Sequence, residues 1–132
     1  MLMLKVVGVV HSPFEDFGDA PRQGRHEERE SMVEIFEEFA EGLQGIERCM
    51  YLFILWWADR AERDLLKVTP PGENQMRGVF STRSPARPNP LCLSLVQLLR
   101  IDGRRLHVKW LDALDGTPVV DIKPYSPELD SV

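Results

Sequence analysis

The chain has 132 residues, 43% hydrophobic and 28% charged, with a formal charge of −5. That is ordinary globular composition, which excludes a wholly disordered chain, and at this length about two thirds of the unfolded surface can be buried in one core. The longest apolar run, Met50 to Ala58, falls short of the roughly 20 residues a bilayer-spanning helix needs, and no signal-peptide pattern opens the chain. The expectation is a single domain over 1–132, cytoplasmic, with no metal.

Leu2 to Val10 is aliphatic and β-branched and predicts a first strand, closed by Ser12-Pro13. Asp16 to Arg25 reads as a loop. Ser31 to Leu43 is ambiguous: Met32, Ile35, Phe36, Phe39, Ala40 and Leu43 follow one helical face, yet Met32-Val33 and Ile35-Phe36 also fit a short strand before a turn. Cys49 to Ala58 is apolar without a period and predicts a central strand buried on both faces. Val68 to Asn74 is a loop, Met76 to Thr82 reads as a strand, and Pro85, Pro88 and Pro90 impose an extended segment. Leu91 to Ile101 and Arg104 to Leu111 read as strands joined by Asp102-Gly103, a strong hairpin signal. Val119 to Ile122 is a last strand, before a proline-containing tail. Many short strands and little helix predict a mainly β domain, and closure into a barrel would remove exposed edges.

Charge is uneven: Glu15 to Leu66 holds 14 acids against 6 bases, and Glu73 to Trp110 holds 7 bases against 2 acids. The acidic whole argues against sequence-independent clamping of long nucleic acid, while the basic segment permits a few phosphate contacts. Cys49 and Cys92 lie outside metal-ligand spacing and read as buried thiols. His11, His26 and His107 lack partner spacing for a metal. Trp56, Trp57 and Trp110 stand in apolar contexts that favour packing over base stacking.

Three segments are hard to explain as packing. Pro21-Arg22-Gln23-Gly24 is the first. In Gly78 to Pro90 (GVFSTRSPARPNP), Arg83 and Arg87 are four apart; in an extended chain both guanidiniums would face one carboxylate or phosphate. The plainer reading is a stiff connection whose arginines pair with the acidic half. In Leu111 to Tyr125 (LDALDGTPVVDIKPY), Asp115-Gly116-Thr117-Pro118 is a turn by composition, whose side chains and amides could hold a polar ligand edge.

Together, in this order, the segments resemble the TsaA-like domain family, whose best known members are S-adenosylmethionine-dependent tRNA (adenine-37-N6)-methyltransferases. The resemblance runs from VVGVVHSPF (Val6 to Phe14) through APRQG and EEFAEGLQGIE to about Pro127. GVFSTRSPARPNP and DGTPVVDIKPY are its most specific parts. It implies a compact closed β-barrel with short helical or turn insertions, a homodimer with S-adenosyl-L-methionine near the subunit interface, and the strand-plus-turn reading of Ser31 to Leu43. The implied cofactor-binding residues are Pro21, Arg22, Gln23, Asp59, Arg60, Arg83, Leu93, Asp115, Gly116, Thr117 and Pro118. Arg87, Asn89, Lys123 and Tyr125 would contact substrate, a modified adenosine in the tRNA anticodon loop. Asp59, Asp121 and Tyr125 are candidate proton acceptors. This chain departs from the family by Asp59 where histidine is common, by Tyr51 where another histidine is frequent, and by Leu91-Cys92 after Asn89-Pro90. A non-catalytic S-adenosylmethionine- or nucleoside-binding module, and a methyltransferase for another small substrate, are the alternatives.

Overall fold

The computed structural model describes residues 1–16, 18–20, 25 and 27–132. Six antiparallel strands close into a barrel: β1 (Gly8–His11), β2 (Glu30–Ile35), β3 (Tyr51–Trp57), β6 (Leu91–Asp102), β7 (Arg105–Lys109) and β8 (Pro118–Pro124). Their order around the barrel is β1-β2-β7-β6-β3-β8. A separate two-stranded hairpin, β4 (Lys67–Val68) with β5 (Arg77–Gly78), projects from the long β3–β6 connection. The chain ends in a single helical turn, α1 (Pro127–Asp130).

Alternation explains the interior. The barrel strands turn mostly β-branched or aliphatic side chains inward at alternate positions, and Val10, Val33, Leu52, Ile54, Val96, Leu106, Val108 and Val119 are fully buried there. β3 obeys this rule strictly, with Leu52, Ile54 and Trp56 buried and the residues between them half-covered. The expectation of a strand buried on both faces is thereby corrected. An uninterrupted apolar sequence arose because the outer face of β3 is apolar too.

The ambiguous segment 31–43 divides into strand β2 and a 3₁₀ helix, Glu37–Leu43. Ser31, Val33 and Ile35 point inward at period two, while β2 is paired on one side by β1 and on the other by β7. Phe39, Leu43 and Ile46 pack against the core beyond the strand's end. The helical spacing therefore reflects two apolar elements read as one.

The β6–β7 hairpin turns on Gly103-Arg104, with Asp102 paired to Arg105. Gly103 has a φ of 60°, which glycine reaches without a Cβ penalty. Two strand expectations shrink. Residues 1–7 precede β1, and of Met76 to Thr82 only Arg77–Gly78 is strand, followed by a 3₁₀ turn, Val79–Ser81. Among the described residues no helix is long and apolar enough to cross a membrane.

Candidate functional site

A cleft of about 1460 Å³ opens beside the barrel, between the 59–87 excursion and residues of β3 and β6, with Thr117 and Tyr125 from either side of β8. Thr82, Arg83, Ser84, Pro85 and Arg87 line it from the proline-rich loop, and Leu114 and Thr117 from the late turn. Two of the three segments singled out in the sequence thus border one space. Asp59, Arg60, Leu93 and Tyr125 also line it.

The proline-rich loop is not extended. Thr82 Oγ1 donates to the Val79 carbonyl (2.9 Å), and the Ser84 and Ala86 amides donate to the hydroxyls of Thr82 (3.3 Å) and Ser84 (3.2 Å). This is a run of side-chain turns, so even-numbered offsets do not share a side. Arg87 folds back: its Nη1 donates to the Thr82 carbonyl (3.0 Å) and the Ser84 carbonyl (2.9 Å). Arg83 is exposed and has no hydrogen-bond or ion-pair partner among the described residues. Both arginines line the cleft, from a bent loop rather than an extended one: Arg87 also shapes the loop through its Nη1, and Arg83 is the open one.

The late turn is tied to the end of β1. Asp115 Oδ1 accepts from the Ser12 amide (3.0 Å), the Asp115 amide donates to the Phe14 carbonyl (2.7 Å), and the Gly116 amide to the Val10 carbonyl (2.8 Å). Gly116 has a φ of 84°, and Thr117 beside it is buried. Arg60 is a strut: Nη1 donates to the Glu15 carbonyl (3.0 Å) and Nη2 to the Asp115 carbonyl (2.9 Å). Asp115, Gly116 and Pro118 do not line the cleft; they hold Thr117 at its wall.

The remaining sequence assignments scatter. Asn89 lies outside the cleft lining, where its Oδ1 accepts from Arg63 (3.3 Å). Lys123 is exposed on β8, 3.7 Å from Asp121, whose other carboxylate oxygen accepts from the Ile122 amide (2.9 Å). Neither lines the cleft. Pro21, Arg22, Gln23 and His26 fall outside the described residues.

Sequence reasoning missed a polar chain in the cleft wall. The Trp56 indole N–H donates to Ser94 Oγ (2.9 Å), which donates to Asp112 Oδ1 (2.9 Å). All three residues line the cleft, and Trp56 and Ser94 are buried. The available signal was an acid at 112 set between Leu111 and Ala113, both fully buried. Beside them, burial pushes the Cys92 thiol up to about 12; the charge of Asp112 adds to that rise and Arg87 opposes it. Cys92 is a protonated, inert thiol at neutral pH. Among the described residues no group of three His, Cys, Asp or Glu side chains could hold a metal ion.

The site is thus a wide cleft on a closed six-stranded antiparallel barrel, with Arg83 open to it, a buried Trp56–Ser94 pair reaching the half-buried Asp112, and apolar side chains in its walls. The model of the tRNA-methyltransferase O N-terminal domain matches residues 9–131, and the chain belongs to that family. An S-adenosyl-L-methionine-binding protein from Archaeoglobus fulgidus is 55% identical over 131 residues, 99% of this chain and 94% of its own. The crystal structure of TrmO from Pseudomonas aeruginosa superposes with a TM-score of 0.80 at 31% identity, and another TrmO crystal structure with 0.83 at 34%. Each covers all of this chain, which spans 59% and 61% of those two solved chains.

Proposed function

We propose that this protein binds S-adenosyl-L-methionine in the cleft and moves its sulfonium methyl to N6 of threonylcarbamoyladenosine, next to the tRNA anticodon. One observation carries the reading: the arginine-bearing loop and the late turn, the most family-specific segments of the chain, border a single space. The donor set suits the group. Arg83 offers a guanidinium for a carboxylate, Asp59 and Asp112 offer negative charge to the ligand's ammonium and sulfonium groups, and Leu91 and Leu93 offer apolar surface to adenine. Pro21, Arg22 and Gln23, Arg60, and Asp115 to Pro118 complete the proposed cofactor contacts, the last five by holding the wall in shape.

When bound, the cofactor supplies an electrophilic methyl on a sulfonium leaving group. In the transfer a C–S bond breaks, an N–C bond forms and the nitrogen gives up its proton. In-line approach makes positioning the main catalytic contribution of the chain. Asp59 and Tyr125 line the cleft and are better proposed acceptors of that proton than Asp121, which is occupied by the Ile122 amide and Lys123. The target base sits in a single-stranded loop, so extruding it is inexpensive. Arg87, Asn89 and Lys123 are weaker proposed substrate contacts than Tyr125, given where their side chains lie.

A homodimer fits the outer surface. Leu91 and Leu93, 43% and 54% exposed, stand beside Trp57 and Leu55 across β3 and β6 and make an apolar face next to the cleft. A second copy covering that face would put the cofactor near the interface.

The test is labelled-methyl transfer from S-adenosylmethionine to tRNA from cells lacking the enzyme, with product identified by mass spectrometry. The expected product is the N6-methylated modified nucleoside. Calorimetric cofactor binding without transfer to any tRNA would favour the binding-module reading, which the description of the Archaeoglobus fulgidus relative motivates.

A further inference from the structure

Trp110 has a φ of 79°, the one positive value among the described non-glycine residues. A bulky side chain in the left-handed region is strained, and such strain persists only where its surroundings impose it. The surroundings do so here. Lys109, immediately before, is paired to Glu30 and Gln97 in the barrel, and Leu111, immediately after, is fully buried. Glycine would take this conformation without strain, so what position 110 supplies is the ring.

That ring lines the cleft with Phe53 and Tyr125. It lies parallel to Tyr51, centroids 5.9 Å apart and planes 5° apart. Tyr51, which does not line the cleft, also meets Tyr125 edge-on at 6.3 Å. The indole is thus fixed from behind by a ring that no ligand in the cleft need touch. The Arg25 guanidinium lies 4.4 Å from the indole centroid and the Lys109 ammonium 5.2 Å. A flat cation resting on the indole marks where another flat π-system fits; Lys109 is ion-paired to the exposed Glu28 (3.3 Å), and on binding it would exchange that partner for a phosphate flanking the base, as Arg25 would exchange the indole.

We infer that Trp110 is the stacking platform for an unpaired base of a single-stranded RNA segment, with Arg25 and Lys109 contacting its phosphates. This rests on the proposed reading that the cleft receives an anticodon-loop base. Direct hydrogen-bond readout is not required of this wall, because every base presents a π-face.

The test compares the full chain with W110F, W110L, R25Q and K109Q, using a synthetic anticodon stem-loop as the RNA probe and S-adenosylhomocysteine as the cofactor probe. The stem-loop should quench the wild-type tryptophan fluorescence. W110L should weaken stem-loop binding between about fivefold and 150-fold, the range of one lost base stack. W110F should retain most of the affinity, and all variants should bind S-adenosylhomocysteine as the wild type does. R25Q and K109Q should each reduce the salt dependence by about one counterion. These two also decide the matter if W110L fails to fold, since an unchanged salt slope in both overturns the inference. So does a folded W110L that binds the stem-loop normally, or one that loses the cofactor probe instead. RNA binding without methyl transfer would remove the methyltransferase reading and leave the platform standing; transfer with an unaffected W110L would do the reverse.

Discussion

Replacing Ser94 by alanine is the sharpest probe of the cleft wall. Ser94 Oγ accepts from the Trp56 indole and donates to Asp112, both at 2.9 Å. Asp112 is half-buried and water in the cleft can reach it, so losing the hydroxyl costs little on that side. Trp56 is only 8% exposed, and its N–H would be left without a partner. An unsatisfied buried donor costs about 1–3 kcal/mol, so S94A should lose about 2 kcal/mol. With unfolding entropy near 2.1 cal/mol/K per residue over 132 residues, Tm should fall by about 7 °C. Differential scanning calorimetry on S94A, W56F and the double variant measures this. W56F removes the orphaned donor, so the double variant should lose less than the two singles together, with a coupling of about 1 kcal/mol. Strict additivity, or an S94A Tm equal to wild type, would refute the reasoning.

Ser31 sits inside the barrel with no hydrogen-bond partner for its hydroxyl, so S31A should raise stability by about 1 kcal/mol in chemical denaturation; a lower midpoint would show that the hydroxyl is satisfied. Gly8 is packed so tightly against β2 that a Cβ would lie 2.4 Å from the Glu34 carbonyl oxygen. G8A should therefore cost about 1–3 kcal/mol by forcing β1 from β2, and an unchanged midpoint would contradict that contact. The Cys92 thiol, raised from 9.0 to about 12, binds its proton more tightly folded than unfolded. Its contribution to stability is thus complete below pH 9 and declines as pH rises towards 12, and C92A should flatten that alkaline limb. Iodoacetamide should accordingly label Cys92 slowly at pH 8 in the native protein and rapidly in urea.

The barrel strands announced themselves where period and turn chemistry agreed. Gly103 forced the β6–β7 reversal within one residue of its expected place, and the Val- and Ile-rich runs at 8–11 and 118–124 had no competing pattern. In segment 31–43 the residues alone left helix and strand open, because a strand and the following 3₁₀ face together fall at helix-like spacing; the strand-plus-turn reading that the resemblance implied is the one the structure has, and pairing on both sides of β2 decides it. In the 78–90 loop, proline content suggested extension, but the hydroxyls of Thr82 and Ser84 captured backbone amides and bent it. Composition could not foresee that Arg87 would turn its Nη1 onto two carbonyls of its own loop. Asp112, Ser94 and Trp56 come from three distant segments, so nothing local marked them as a chain.

The barrel has a thin seam. β1 and β8 share only the pairs Gly8 with Val119 and Val9 with Pro118, and Pro118 has no amide hydrogen to donate. Past those pairs the join is completed by the Val7 amide on the Val119 carbonyl, the Val10 amide on the Thr117 carbonyl, the Gly116 amide on the Val10 carbonyl and the Ser12 amide on Asp115, three of the four made by the turn at the cleft. A nucleoside seated against Thr117 would therefore also latch the cylinder shut. Occupancy should slow amide exchange along Val7 to Ser12 first, well away from any atom the ligand touches.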